Sequence, residues 1–161
     1  MLAKWRIIYC QMAIRRNMQS IKPEAALNTQ TLLGIKAASS LGLAERVESG
    51  LSFVSLERFS KKSGLPMELV RKAVRLTPRT MMRRKTLNRL SPEESDRLVT
   101  ISRLFAFALE LFGGRTERAN EWFTSPNRAL GRRSPIDLAG TEVGAREVED
   151  LIGRLMHGVF S

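Results

Sequence analysis

The residues best equipped for chemistry crowd into one stretch, LTPRTMMRRK at positions 76–85. Arg79, Arg83, Arg84 and Lys85 carry cationic donors, Thr80 carries a hydroxyl, and Arg89 follows closely. Such groups neutralise phosphate, and an arginine can donate a bidentate pair to the edge of a guanine. Thr77 suits the position that caps a helix, and Pro78 suits the first helical position. At about 100° per residue, Arg83 falls about 40° from Arg79, Thr80 about 100° and Arg84 about 140°. Met81 falls about 200° away, on the side that can anchor to a core. Arg79 and Thr80, near the helix start, are placed to approach base edges. Arg83, Arg84, Lys85 and Arg89 are placed mainly to neutralise phosphate. The alternative is a solvated basic face, but such faces ordinarily mix signs. Here eight basic residues lie between Leu69 and Pro92 without one carboxylate.

The elements that must hold this stretch read as helices. LSFVSLERFSKKSG at 51–64 gives a helix capped by Ser52, with Val54, Leu56, Phe59 and Ser60 turned inward, stopped by Gly64. Pro66 opens a second helix whose apolar stripe is Leu69, Val70 and Val74. A tight turn then leads into the basic helix. Helix, turn and basic helix in that order is the layout of a helix-turn-helix unit, whose last helix enters the major groove. Upstream, residues 24–46 have helical apolar spacing, with Gly34 and Gly42 as breaks. Residues 1–22 form a basic lead-in outside the folded part.

Charge changes sign at SPEES, 91–95. The first 90 residues carry 18 Lys and Arg against 5 Glu, whereas residues 91–161 carry 9 Arg against 11 Asp and Glu. That asymmetry points to a polyanion partner for the first half and a different partner for the second. Ser91, Pro92 and Glu94 make a capping box. The helix they open runs over 92–112 with Leu98, Ile101, Leu104, Phe105, Ala108, Leu111 and Phe112 inward, as a central core helix or a dimer interface. Gly113 stops it. TERANEWF is a short helix, Ser134, Pro135 and Asp137 repeat the cap chemistry, and a last helix runs from about Thr141 to His157. Its apolar face is Val143, Val148, Leu151, Ile152, Leu155 and Met156. The expected fold is all-α.

Composition narrows the remaining chemistry. The chain is 43% hydrophobic and 27% charged, which suits a globular domain with a real core. No apolar run is long enough to span a bilayer, and Arg6 and Gln11 interrupt the only start resembling a signal peptide. One Cys and one His leave too few ligands for a zinc site, so no metal or cofactor is expected. The lone Cys10 suits a reducing cytoplasm. Nucleophilic catalysis through histidine would have to use His157, close to the C-terminus. No enzyme signature stands out.

The segment WFTSPNRALGRRSPIDLAGTEVGAREVEDLIGRLMHGVFS, 122–161, resembles the C-terminal toxin-binding domain of Xre/MbcA/ParS-type antitoxins. Trp122, Pro126-Asn127, Leu130-Gly131, Arg133-Ser134-Pro135, Thr141 through Gly144, and His157 through Phe160 carry the likeness. The preceding GLPMELVRKAVRLTPRTMMRRK and RLSPEESDRL resemble the Xre-like helix-turn-helix of the same family. This chain departs from it in having Arg132 after Gly131, where the family often has a second glycine, in Phe123, and in Met156 before His157.

The resemblance implies an N-terminal helix-turn-helix bundle over 23–90 followed by a small helical toxin-binding domain over 91–161. It implies a type II antitoxin in the cytoplasm that binds and blocks a RES-domain toxin, an enzyme that depletes NAD⁺. It further implies operator DNA as a partner and repression of its own operon; a homodimer is expected because helix-turn-helix readers usually need two half-sites. The surface-reaching members of the motif, Arg133, Arg154, His157, Gly158, Val159 and Phe160, are then the expected toxin contacts. Trp122, Leu130 and Leu151 are expected in the core, and Gly144 and Gly158 are expected where a backbone comes close. Two other readings stay open: a stand-alone helix-turn-helix regulator whose C-terminal half dimerises or binds a ligand, and a small enzyme.

Overall fold

The computed structural model describes residues 29–36 and 39–158. Over those residues the chain forms nine α-helices and a 3₁₀ turn, with no strand. They are α1 (Thr29–Leu33), α2 (Ser40–Ser49), α3 (Phe53–Ser63), α4 (Met67–Ala73), α5 (Pro78–Leu87), α6 (Pro92–Leu111), α7 (Thr116–Thr124), α8 (Pro135–Leu138) and α9 (Glu142–His157). The 3₁₀ turn is Arg128–Leu130. The expected lead-in, 1–22, lies outside the described residues.

Local chemistry sets most boundaries. Ser52, Thr77, Ser91 and Thr141 each accept a backbone N–H of the first turn they precede. At α6 the capping box is complete, because Glu94 also accepts from the Ser91 N–H. Gly64 and Gly113 take the left-handed conformation that ends α3 and α6. Gly34 likewise follows α1, but Gly42 breaks nothing: it sits inside α2, where its N–H is capped by Ser39 at 3.1 Å. Leu41, one of the apolar residues of this segment, is exposed. In α3 the inward position beside Leu56 is Ser55, while Val54 faces out at 38% exposure. Ser134 stands before α8 without capping it; its hydroxyl donates instead to Asp137 Oδ2.

The long helix α6 is the centre of the molecule. It packs against α1, α2 and α3 on one side and against α7 and α9 on the other. Leu98, Ile101, Leu104, Phe105 and Ala108 are fully buried along it. Phe105 meets Phe59 of α3 edge-on at 6.0 Å and Phe123 of α7 at 5.5 Å, so one aromatic chain crosses the core. The apolar core is a single cluster drawn from both halves of the described fold, and α6 serves both at once. Buried Ser95 adds a polar tie, accepting from the Leu51 N–H at 2.8 Å and donating to the Ser91 carbonyl at 2.7 Å.

Candidate functional site

The basic helix is carried by a turn that sequence alone does not announce. After α4, Arg75 takes a left-handed conformation at φ 63°. Its N–H donates to the Lys72 carbonyl at 3.0 Å and the Leu76 N–H donates to the Arg71 carbonyl at 2.9 Å. That is the Schellman pattern, with Leu76 buried beneath it. The Arg71 guanidinium closes over the turn by donating to the Leu76 carbonyl, and it also bonds Glu68. This bond holds the Glu68 carboxyl below its ordinary range. Thr77 then caps α5, accepting from the Thr80 N–H at 3.1 Å.

α5 has no buried side chain, so it lies on the molecule rather than in it. Met81 alone among its apolar residues packs against the core, as its side of the wheel predicts. Arg79 and Arg83 are exposed and make no ion pair among the described residues. Thr80 is half-buried and shares a 2.9 Å hydrogen bond with the Thr77 hydroxyl. Lys85 extends toward Glu57 of α3 at 3.8 Å, and Arg89 donates to the Ser49 carbonyl at 2.8 Å. Both remain exposed.

Arg84 does not join the outer face that the wheel gave it. Its Nε lies 2.7 Å from Glu94 Oε2 and 3.1 Å from Oε1, and the two side chains are only 20% and 10% exposed. The carboxylate that completes the cap of α6 thus also holds α5, and Arg84 is spent inside the fold. In its place the outward face displays Met82 and Thr86, neither of which is among the donors expected from the sequence to meet DNA. The same wheel contained the signal, for Met82 lies about 60° from Arg79.

In the C-terminal half, Arg133 and Arg154 are exposed as expected, and Trp122, Leu130 and Leu151 belong to the core or pack on it. Gly158 ends α9 in the left-handed conformation at φ 67°. Val159 and Phe160 lie outside the described residues, and His157 is the last residue of α9. Val143, expected inside, is 75% exposed, and Met156 also faces out. Val143, Glu147, Asp150 and Arg154 recur at helical spacing along one exposed stripe of α9. Ala145 takes the inward position instead. Gly144 does permit a close approach, but an internal one: a Cβ there would run into the Leu138 carbonyl.

Between α7 and α8 the chain doubles back. Asn127 N–H donates to the Arg133 carbonyl at 3.0 Å, and Arg132 N–H to the Asn127 carbonyl at 2.8 Å. Gly131 and Arg132 both have positive φ, 63° and 62°. Arginine in that region is strained by about 1 kcal/mol. Arg132→Gly is therefore expected to raise stability by up to about 0.5 kcal/mol, net of the greater freedom glycine gives the unfolded chain. Urea unfolding checks it, and a midpoint that falls would show that the Arg132 side chain stabilises the turn.

The two halves meet where Gly140 faces α4. A Cβ on Gly140 would lie 2.6 Å from the Ala73 carbonyl oxygen. Beside this contact runs a groove lined by Arg75, Arg97, Arg103 and Arg146 together with Glu142 and Glu149. Arg103 and Glu149 pair across it at 3.0 Å, joining α6 to α9.

Known families match both halves. The description "Antitoxin Xre-like helix-turn-helix domain" fits residues 42–103, and "Antitoxin Xre/MbcA/ParS C-terminal toxin-binding domain" fits residues 107–158. The fold is thus that of a helix-turn-helix protein with a toxin-binding domain. An Antitoxin Xre of Yersinia enterocolitica is 36% identical over 148 residues, covering 89% of this chain and all of that protein. An Antitoxin Xre of Photorhabdus laumondii is 37% identical over 73 residues, covering 45% of this chain and 49% of that protein. The chain belongs to the Xre antitoxin family. No described helix is long and apolar enough to cross a membrane.

Proposed function

We propose that this antitoxin neutralises a RES-domain, NAD⁺-depleting toxin and represses its own operon by binding operator DNA as a homodimer, in the cytoplasm. It performs no catalysis in this reading. The observation that carries the DNA half is α5 itself. It is a helix with no buried side chain, standing second in a helix-turn-helix and presenting Arg79 and Arg83, which make no ion pair among the described residues. The match of a toxin-binding domain over 107–158 supports the other half. We assign DNA contact to Arg79, Thr80, Arg83, Lys85 and Arg89. We assign toxin contact to Arg133, Arg154 and the segment His157–Phe160, and add Val143 on the same exposed stripe as Arg154. Helix-turn-helix readers commonly need two half-sites, which supports the dimer.

The test is co-expression of the chain with the product of the neighbouring gene. Full-length chain is expected to rescue growth, restore cellular NAD⁺ and co-purify with that product. A chain ending before His157 is expected to do none of these. Rescue by the truncated chain at equal abundance would remove the last residues from the toxin contact. Rescue without recovery of NAD⁺ would assign the partner to another toxin class.

A further inference from the structure

We propose that Met82, with the methyl group of Thr86 beside it, reads the 5-methyl group of thymine in the major groove. This inference rests on the DNA-binding reading of α5.

Met82 is 66% exposed, near the middle of α5, and no neighbouring element among the described residues covers it. Arg84 and Lys85 are turned toward Glu94 and Glu57, so the outward arc is Met82, Thr86, Arg79 and Arg83. Met82 and Thr86 stand at i and i+4, adjacent on the helix surface. The Thr86 hydroxyl donates to the Met82 carbonyl at 3.1 Å, within the helix. Its hydrogen is therefore committed, and the group left to a ligand is chiefly the methyl. The result is an apolar strip flanked by two exposed guanidiniums that make no ion pair among the described residues. In the major groove, thymine alone among the bases presents a methyl group, and apolar side chains contact it. The flanking arginines match the phosphates and guanine edges around such a step.

Docking of a protein on this apolar surface fits less well. The other exposed apolar residue of α5, Leu87, lies about 140° around the helix from Met82, with Thr86, Arg79 and Arg83 between them. A protein-binding patch is contiguous, and these two residues are separated by the basic ridge.

The experiment uses the duplex immediately upstream of the gene, prepared once with thymidine and once with deoxyuridine, which removes only the methyl groups. Wild type, Met82→Ala and Arg83→Ala are titrated with both at the same salt. Wild type is expected to lose about fourfold in affinity for each methyl contacted, the value of burying one such group. Met82→Ala is expected to bind the thymidine duplex more weakly and to lose most of its sensitivity to the exchange. Arg83→Ala is expected to bind both duplexes more weakly with the wild-type ratio between them. Equal thymidine-to-uridine ratios for wild type and Met82→Ala would overturn the proposal while leaving DNA binding intact. Failure of wild type to bind either duplex at low salt would overturn both. Because Met82 is exposed, unchanged melting of Met82→Ala confirms that the comparison is between folded proteins.

Discussion

Gly140→Ala is expected to lower stability by about 3 kcal/mol, the upper range for forcing a methyl into a filled site. For a chain of this size that is a fall of about 6–12 °C in melting temperature. The reason is space alone. Gly140 has no positive φ, but its added Cβ would sit 2.6 Å from the Ala73 carbonyl oxygen. That obstacle is the backbone at the end of α4, which cannot rotate away as a side chain can. The cost therefore falls on the docking of the α8–α9 turn against the helix-turn-helix. Gly153→Ala is the control: it lies inside α9 with nothing within 4 Å of its added Cβ. There, alanine is expected to gain about 0.5–1 kcal/mol from helix propensity. Thermal melts of the two variants test the contrast, and a Gly140→Ala protein that melts like wild type would show that this contact is absent in solution.

Glu94→Ala should be about as damaging, at about 3 kcal/mol, since it leaves the part-buried Arg84 without its counter-charge. It also removes the acceptor of the Ser91 N–H, so the start of α6 loses half of its capping box. Arg84→Ala breaks the same pair, but its effect on DNA separates a positioning role from a phosphate contact. Salt titrations of operator binding are expected to keep the wild-type slope in Arg84→Ala, whereas Arg83→Ala reduces the slope by roughly one. The expected signature of Arg84→Ala is weaker binding at every salt, with α5 displaced from its seat. A slope lowered by one in Arg84→Ala would mean that the arginine leaves Glu94 for phosphate when DNA is present.

What was legible beforehand was mostly local. Serine or threonine before Pro78 and Pro92, and glycine at 64 and 113, mark helix ends because the group they satisfy lies within a few residues. The inward faces of α6 and of most of α9 follow from helical period for the same reason. The errors are long-range. Val54 and Val143 are apolar, yet they face out because, among the described residues, no neighbouring element covers their side of the helix. Arg84 looks like its neighbours until a carboxylate ten residues later closes on it. Gly140 carries no sign that its missing side chain makes room for Ala73. Arg75 and Arg132 show that a left-handed position need not be glycine when the hydrogen bonds around it hold the turn. For the binding surface, a search for donors found Arg79 and Arg83 but passed over Met82, because an exposed methionine is visible only once the neighbours are placed.

The continuity of α6 also bears on how such genes can exchange parts. The two family regions meet between residues 103 and 107, inside the helix, where Leu104 and Phe105 are fully buried. A crossover there joins one parent's helix-turn-helix half to the other's toxin-binding half within a single turn. One inserted or deleted residue would rotate everything beyond it by about 100° and break the chain of rings at Phe105, which would keep only one of Phe59 and Phe123 as its partner. Viable hybrids should therefore keep the helical phase through this turn and bring matching aromatic partners from both parents. Exchange of the toxin-binding half with retention of the helix-turn-helix then requires compatible packing as well as an intact reading frame.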